Sequence, residues 1–377
     1  MALLIDYTDT PHCCTDHALE ETYKALADRP DDSLWSPHHD PLLRDHIEAV
    51  TERGLRILGS ILSGLQAASP DAEPLAKAAW VRFDEATFAS VKRRLESKGQ
   101  AEFTLTDWLD LADWLLQRYL PETTVKVEAE YLAVRAHVAG RLQATAEAKR
   151  VPAASLPALV AVSPITVITA KDLFRIEGLQ AHVIDYAAAR SAELITDIGE
   201  RTRHRIKQIL IDHHKRAAIG DPDAVPMRLQ SRLFDEFSVL NRDWRRVAIT
   251  ESTENYGEGF VASIQDGERV RRIEAYPTAC PFCKKIHGME FEVVDPAAEE
   301  KDGWKHIWVG KTNVGRSAAP RKREGDQLVE RDEDELWWPA AGAQHPNCRG
   351  SWQRVMAKPA DVDPEFWDWM QSHLEAK

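Results

Sequence analysis

The sequence predicts a mainly α-helical protein whose chain leads into a small α+β domain held by a metal ion. Two observations give this fold class. Apolar residues recur at three- and four-residue intervals as far as about residue 262, which is the period of amphipathic helices. Beyond Gly267, strand-like alternation and two pairs of metal-ligand residues replace that period.

Composition excludes several classes of protein. The chain has 377 residues, of which 44% are hydrophobic, so it can bury more than one core. A net charge of −13 disfavours a protein that coats DNA, because such proteins carry an excess of Lys and Arg. No apolar run approaches the roughly 18 residues of a membrane span, and the start of the chain lacks the basic and apolar regions of a signal peptide. We therefore expect a cytoplasmic site of synthesis and no membrane partner.

Residues 1–40 are predicted to form an N-terminal arm, because they lack sustained periodicity and contain three prolines. Cys13 and Cys14 lie in this arm with several histidines nearby. Adjacent cysteines chelate one ion with poor geometry, so we interpret them as incidental thiols and keep a second metal site as the alternative.

Residues 41–150 are predicted to form a helical bundle. Asp40-Pro41 is a favourable helix start, with an N-cap acceptor followed by proline. Thr104 opens another helix with Trp108 on its apolar face, and large aromatic residues at helical spacing usually belong to the core. A fourth helix runs from Pro121 to about Arg150.

Prolines between residues 151 and 168 predict a linker, followed by a region of long helices over residues 165–265. Thr169 and Asp172 form a capping-box pattern that would begin a helix reaching about Lys215. Positive charge collects over Arg201–Arg216 near its end. The helix dipole favours cations at a C-terminus, so a solvated helix end is the first interpretation. Contact with nucleic acid or an acidic partner is the alternative.

Residues 266–356 are predicted to form the small α+β domain, with a strand over Met289–Val293. It includes a polar insertion, residues 311–335, because 11 of the 15 residues from Arg321 to Glu335 are charged. We expect an exposed loop there. Residues 357–377 are predicted to form an aromatic C-terminal helix that either folds back or docks on a partner.

Four residues form what we call the metal clamp: Cys280, Cys283, His345 and Cys348. Each half has a two-residue gap, in Cys-Pro-Phe-Cys and in His-Pro-Asn-Cys, which lets both side chains reach one ion from a tight turn. The resulting Cys3His set predicts structural Zn²⁺. His287 is a reserve ligand, and free thiols without an ion are the alternative.

Catalytic interpretations of this site are weaker. A zinc deaminase couples His-x-Glu to Pro-Cys-x-x-Cys, but His46-Ile-Glu48 lies far upstream and Ala279 precedes the first cysteine. An HNH-type nuclease needs another histidine as base, and no motif places His287 or His306 in that role. We find no phosphate-binding loop and no nucleophile elbow in the sequence. The sequence therefore predicts no catalytic residues.

Three stretches of the sequence together carry a family resemblance: the run Arg245–Gly257, the run Cys280–Gly288, and His345-Pro-Asn-Cys348-Arg-Gly350. They resemble the head morphogenesis domain of tailed bacteriophages, the phage Mu F-like minor head (minor capsid) proteins. The resemblance covers roughly residues 165–355. Members of this family often carry a further cysteine where this chain has Gly350.

The resemblance implies a structural protein of the virion, not an enzyme, with a place in the capsid interior at the portal vertex. It implies assembly in the host cytoplasm with the phage portal protein as partner. The major capsid or scaffold protein is a further candidate, and Arg201–Arg216 is a candidate contact for packaged DNA. The alternative function is a metal-dependent, HNH-like nuclease acting on phage or host DNA.

Overall fold

The computed structural model describes residues 41–67, 85–99, 102–150, 166–274 and 279–355, together with Trp369 and Ser372. The predicted fold class is confirmed, because long helices are followed by a small region of short strands and one short helix. The helices are α1 Pro41–Ala67, α2 Glu85–Glu96, α3 Leu105–Tyr119, α4 Glu122–Lys149, α5 Val167–Phe174, α6 Gly178–Ala218, α7 Pro226–Val261 and α8 Pro281–Ile286. The strands are β1 Arg269–Ile273, β2 Glu290–Val293, β3 His306–Ile307, β4 Arg321–Glu324, β5 Gln327–Glu330 and β6 Ser351–Arg354.

Local sequence signals set the ends of α3 and α4. Thr104 caps α3 by accepting from the backbone N–H of Asp107, and the Asp107 carboxylate accepts in return from the backbone of Thr104. Pro121 follows the end of α3 and is the N-cap of α4. Arg150 closes α4 in the left-handed conformation, with φ of 55°.

The start of the long-helix region differs from the prediction. Thr166, not Thr169, is the N-cap of α5, because its hydroxyl accepts the N–H of Thr169. The helix then ends at Phe174, since Arg175 takes a left-handed conformation with φ of 49°. The predicted single helix is therefore a short α5 followed by a 41-residue α6.

One apolar core includes residues from both helical regions that the sequence separates. Its members come from α1, α2, α3 and α4 on one side of the linker and from α6 and α7 on the other, and they include Trp114, Leu115, Ile206 and Trp244. Residues 151–165 therefore separate two stretches of sequence that share a core. The predicted inward face of α3 is confirmed, because Trp108 and Tyr119 are buried.

Helices α4 and α7 approach very closely where glycines face the opposite backbone. A Cβ on Gly140 of α4 would lie 2.0 Å from the carbonyl oxygen of Tyr256 on α7. A Cβ on Gly259 of α7 would lie 2.0 Å from the carbonyl oxygen of His137 on α4. The two glycines therefore allow a helix contact that no other residue type permits.

The sheet lies against the ends of α4 and α7. Its order is β3-β2-β1-β6, with β1 antiparallel to both of its neighbours and β2 parallel to β3. The predicted alternation in β2 is confirmed, because Phe291 and Val293 are buried. They pack with Trp352 of β6 and with Phe260 near the end of α7.

The predicted polar insertion is not a plain exposed loop. Its first residue is buried: Lys311 is 1% exposed and donates to the carbonyl oxygens of Gly303 and His306. Strands β4 and β5 then form a hairpin around Gly325, whose φ is 60°. The charged residues lie on the exposed faces of this two-stranded ribbon, where they can pair across the strands. A high charge density is therefore compatible with regular structure.

Residues 1–40, with Cys13 and Cys14, lie outside the described residues, as does the helix predicted over 357–377 except for Trp369 and Ser372. The Trp369 side chain is exposed. Among the described helices, none has the length and apolarity needed to cross a membrane.

Candidate metal centre

The first half of the metal clamp lies on α8, between β1 and β2. Cys280 is the N-cap of this helix, and its sulfur accepts the backbone N–H of Cys283 at 3.4 Å. Pro281 occupies the first helical position, where its fixed φ suits a helix start. The two cysteine side chains therefore lie at one end of α8, and both are buried.

The second half is a tight turn ahead of β6. Asn347 has a φ of 63°, and the N–H of Cys348 donates to the carbonyl oxygen of His345 at 3.0 Å. The Nδ1 of His345 lies 2.7 Å from the carbonyl oxygen of Pro346. Because a carbonyl only accepts, Nδ1 carries a proton, and Nε2 is the ring nitrogen that would bind a metal.

The structure brings these residues together. The Nε2 of His345 lies 3.2 Å from the sulfur of Cys280 and 3.2 Å from that of Cys283. Tetrahedral zinc, with bonds of about 2.0 to 2.3 Å, holds such atoms about 3.6 Å apart, so small shifts make room for an ion. Cys280, Cys283, His345 and Cys348 could therefore hold a metal ion.

Cys348 has two further neighbours that the sequence did not single out. Its sulfur lies 3.5 Å from the Nη2 of Arg272 and 3.8 Å from the Oε1 of Glu274. Arg272 and Glu274 are fully buried and joined by a hydrogen bond of 2.8 Å. The donor atoms form two groups, each within 4.8 Å internally: Cys280, Cys283 and His345, and Glu274, Cys283 and Cys348.

The charges in the cluster favour thiolates. A hydrogen bond from Cys283, opposed by burial and supported by His345, lowers the pKa of Cys280 to about 4. Burial raises the pKa of Cys348, but the hydrogen bond from Cys283 and the charge of Arg272 outweigh it and hold that pKa well below its usual range. The pKa of Cys283 is raised because its thiol donates to both neighbours. Burial lowers the pKa of His345, but its hydrogen bond with Cys280 and the charge of Cys348 outweigh this effect and raise that pKa to about 9. An arriving cation would therefore displace the Cys283 proton and the second proton of His345.

The reserve ligand His287 is not part of the cluster. It follows the last residue of α8, and its Nδ1 accepts the backbone N–H of Glu274 at 2.9 Å. His306, considered above as a base, is likewise engaged, since its Nδ1 accepts the N–H of Asp302. Neither imidazole joins the two groups of donor atoms in the described part of the chain.

Helix α7 fixes the loop that carries His345 and Cys348. Thr253 donates its hydroxyl to the carbonyl oxygen of Cys348 at 2.8 Å, and Thr250 accepts the N–H of Asn347 at 3.0 Å. Glu254 accepts the N–H of Ala343 at 2.6 Å. These three residues belong to the run Arg245–Gly257 that carries the resemblance, so that run supports the loop of the metal clamp.

Aromatic rings cover the same loop. Trp337 stacks on His345, with ring centroids 5.6 Å apart and an interplanar angle of 13°. Phe282 of α8 meets Trp337 edge-on at 5.6 Å. A cleft of about 340 Å³ lies beside these rings, lined by residues of α7, the segment 312–318 and the His345 loop. The donor atoms themselves are buried.

Ion pairs between helices involve Glu251 of α7 and the basic part of α6. Glu251 accepts from Arg190 of α6, with Nε and Oε2 2.9 Å apart. Within Arg201–Arg216, several cations have acidic partners on neighbouring helices. These pairs are Arg201–Asp243, Arg203–Asp113, Lys207–Asp113 and Arg205–Glu236. Much of this positive charge is therefore neutralised within the protein.

Comparisons of the chain with protein-family models, curated proteins and solved structures found no match.

Proposed function

We propose that this protein is a structural and assembly component of a tailed-bacteriophage or prophage head, a minor head protein associated with the portal vertex and the capsid interior. The observation that carries the proposal is that residues from one of the stretches resembling the family hydrogen-bond to the loop that carries another. Thr250, Thr253 and Glu254 all hold the loop of the metal clamp, and the three resembling stretches therefore form one unit. This arrangement supports a domain built for stability and docking.

The ion proposed for the metal clamp is Zn²⁺ in a structural role. Three sulfurs and one imidazole nitrogen form a donor set typical of closed tetrahedral zinc sites. The donors are buried, and the His345 ring is fixed through its Nδ1. A structural site of this kind contributes its binding free energy to the folded domain.

Metal analysis tests the zinc assignment. We expect close to one zinc per chain after purification without added metal. We also expect Cys283→Ser, or treatment with a strong chelator, to reduce the stability of the C-terminal domain. Cys283 lies in both groups of donor atoms, so its loss should have the largest effect. A metal-free protein of equal stability would contradict the assignment.

Co-purification tests the assembly role. In cells producing phage particles, we expect a tagged chain to purify with the portal protein, with the major capsid or scaffold protein as further candidates. We also expect the chain in finished heads. The matched control is the Cys283→Ser chain, which should lose both if the metal-clamp domain is needed for docking. Normal heads lacking the wild-type chain would contradict the role.

The nuclease alternative requires an open metal position and a base. The four donors of the metal clamp can fill a tetrahedral ion, and His287 and His306 accept backbone N–H groups, which weighs against it. The arginines of α6 that would contact DNA are largely paired with acidic residues. Metal-dependent DNA cleavage that disappears in a folded His345→Ala variant would favour the nuclease over the assembly protein.

A further inference from the structure

The buried carboxylate of Glu274 lacks the full set of partners that its burial demands. Its side chain has 0% exposure. The Oε1 atom accepts from the Nε of Arg272 at 2.8 Å, but Oε2 is buried without a hydrogen-bond partner among the described residues. A buried carboxylate oxygen left unpaired is costly, so an orphan atom of this kind indicates a missing ligand.

Strand pairing explains why this carboxylate lies at the metal clamp. Strands β1 and β6 pair with Ile273 opposite Ser351, so the residues that flank this pair, Glu274 and Gly350, are close in space. A Cβ on Gly350 would lie 2.1 Å from the Oε1 of Glu274. The glycine therefore leaves the space in which the carboxylate lies.

Glu274 and Cys348 both approach Cys283. The three donor atoms lie within 4.8 Å of one another, as do those of Cys280, Cys283 and His345. An ion held by Cys280, Cys283 and His345 thus has two candidates for its fourth donor, Cys348 and Glu274, which both lie within 4.8 Å of the sulfur of Cys283. Oxygen and sulfur are both accepted by zinc.

We propose that Glu274 is an exchange ligand of the metal clamp, which takes the fourth position on the ion when Cys348 leaves it. In this exchange one metal–sulfur bond breaks and one metal–oxygen bond forms. Cys348 leaves as a thiolate and stays beside the Nη2 of Arg272, 3.5 Å away. Glu274 binds as its carboxylate, and no electron is transferred. Modification of Cys348 would then open the metal clamp only in part, because the ion remains bound.

This inference depends on metal binding by the clamp and not on the role in head assembly. The test compares two cysteines of the full-length chain that differ in having a substitute donor. Zinc affinity is measured by competition with a chromophoric chelator for Cys280→Ala, Cys348→Ala, Glu274→Gln and the double variant Cys348→Ala/Glu274→Gln. Cobalt is then used as a spectroscopic probe for the loss of one thiolate ligand.

We expect Cys348→Ala to keep one zinc per chain with an affinity about ten- to a hundredfold lower, the range seen when a supporting group of a zinc site is lost. Its cobalt complex should lack the absorption of one thiolate. Cys280→Ala and the double variant should lose stoichiometric binding, whereas Glu274→Gln alone should have a small effect. Glu292→Gln, an exposed glutamate of β2, is the matched control and should bind as the wild type does.

Two results would overturn the exchange. One is that Cys348→Ala loses zinc as completely as Cys280→Ala, and the other is that the double variant binds as well as Cys348→Ala. If Cys348→Ala does not fold, zinc-loaded wild type and Glu274→Gln are alkylated with iodoacetamide. Modification of Cys348 should then release zinc only from Glu274→Gln, and equal release from both would refute the idea. Wild-type protein that binds no zinc would also remove the zinc part of the proposed function, whereas silent Glu274 variants leave it intact.

Discussion

Replacing Gly140 with alanine should damage the contact between α4 and α7. The new Cβ would lie 2.0 Å from the carbonyl oxygen of Tyr256 and 2.8 Å from the backbone nitrogen of Phe260. A carbon–oxygen contact normally needs about 3.3 Å, so the two backbones must separate by about 1 Å. Neither backbone atom can rotate away as a side chain could. The strain must therefore be relieved by movement of a whole helix.

The size of the effect follows from two opposing contributions. Overpacking a close-packed interior costs about 1 to 3 kcal/mol, and a backbone clash should lie at the upper end. Alanine also gains up to about 1 kcal/mol of helix propensity over glycine. We expect Gly140→Ala to lower the free energy of unfolding by about 2 kcal/mol. Because α7 also holds the loop of His345 and Cys348, a displaced α7 should weaken metal binding as well.

Urea unfolding followed by circular dichroism measures this loss, and Gly59→Ala is the matched control. Gly59 lies in α1 with no atom within 4 Å of its added Cβ, so this change should stabilise the protein by up to about 1 kcal/mol. Gly259→Ala, which meets the carbonyl oxygen of His137 at 2.0 Å, should behave as Gly140→Ala does. The pair combined should cost less than the sum, because the first change already separates the helices. A Gly140→Ala variant as stable as the Gly59→Ala control would refute the close contact.

Two further predictions concern buried polar groups. Burial lowers the pKa of His137 to about 3, and both ring nitrogens lack hydrogen-bond partners within the part of the chain that the structure describes. As pH falls, His137 takes up a proton in the unfolded chain before it does so in the folded chain. The free energy of unfolding is therefore unaffected by this group above about pH 6.5 and decreases as pH falls from there towards 3. Urea midpoints between pH 4 and 7 should fall less steeply for His137→Leu than for wild type, and parallel slopes would exclude this titration. Gly350→Ala should displace the carboxylate of Glu274, 2.1 Å from the new Cβ, and the Nη2 of Arg272, 2.5 Å away. Thermal unfolding of the metal-loaded chain should then occur at a lower temperature than in the wild type. The control Gly99→Ala, with open space at its Cβ, should not lower the unfolding temperature.

Much of the helical architecture could be predicted from the sequence because its signals are local. The N-cap of α3 at Thr104 and the end of this helix before Pro121 depend on residues within one turn. The apolar period also identified the buried face with Trp108 and Leu115. The periodicity of apolar residues does not show which other helix packs against each apolar face. The shared core of both helical regions and the close contact at Gly140 depend on the tertiary arrangement.

The four residues of the metal clamp were predictable because each pair has its own spacing. Glu274 was missed for a physical reason, since it approaches Cys348 only through the pairing of β1 with β6. The hairpin of β4 and β5 was missed for a different reason. Its charge density suggested a loop, but Gly325-Asp326 is a two-residue turn signal, and Arg321 pairs with Glu330 across it. Charge density reports exposure and does not distinguish a loop from an exposed ribbon.

The two halves of the metal clamp are held by different kinds of contacts, which predicts how the domain opens. The loop of His345 and Cys348 is fastened to α7 through Thr253 and Glu254, and Trp337 stacks on His345. The six-residue helix α8 packs on the cysteine cluster through Cys280 and Cys283 with Ala343 and Cys348, and its Phe282 meets Trp304 and Trp337. A helix this short has little stability of its own. Removal of the ion should therefore release the amide protons of α8 to hydrogen exchange first, while residues 340–348 stay protected by α7. Equal loss of protection in both segments would mean that the ion, and not α7, positions the second half of the metal clamp.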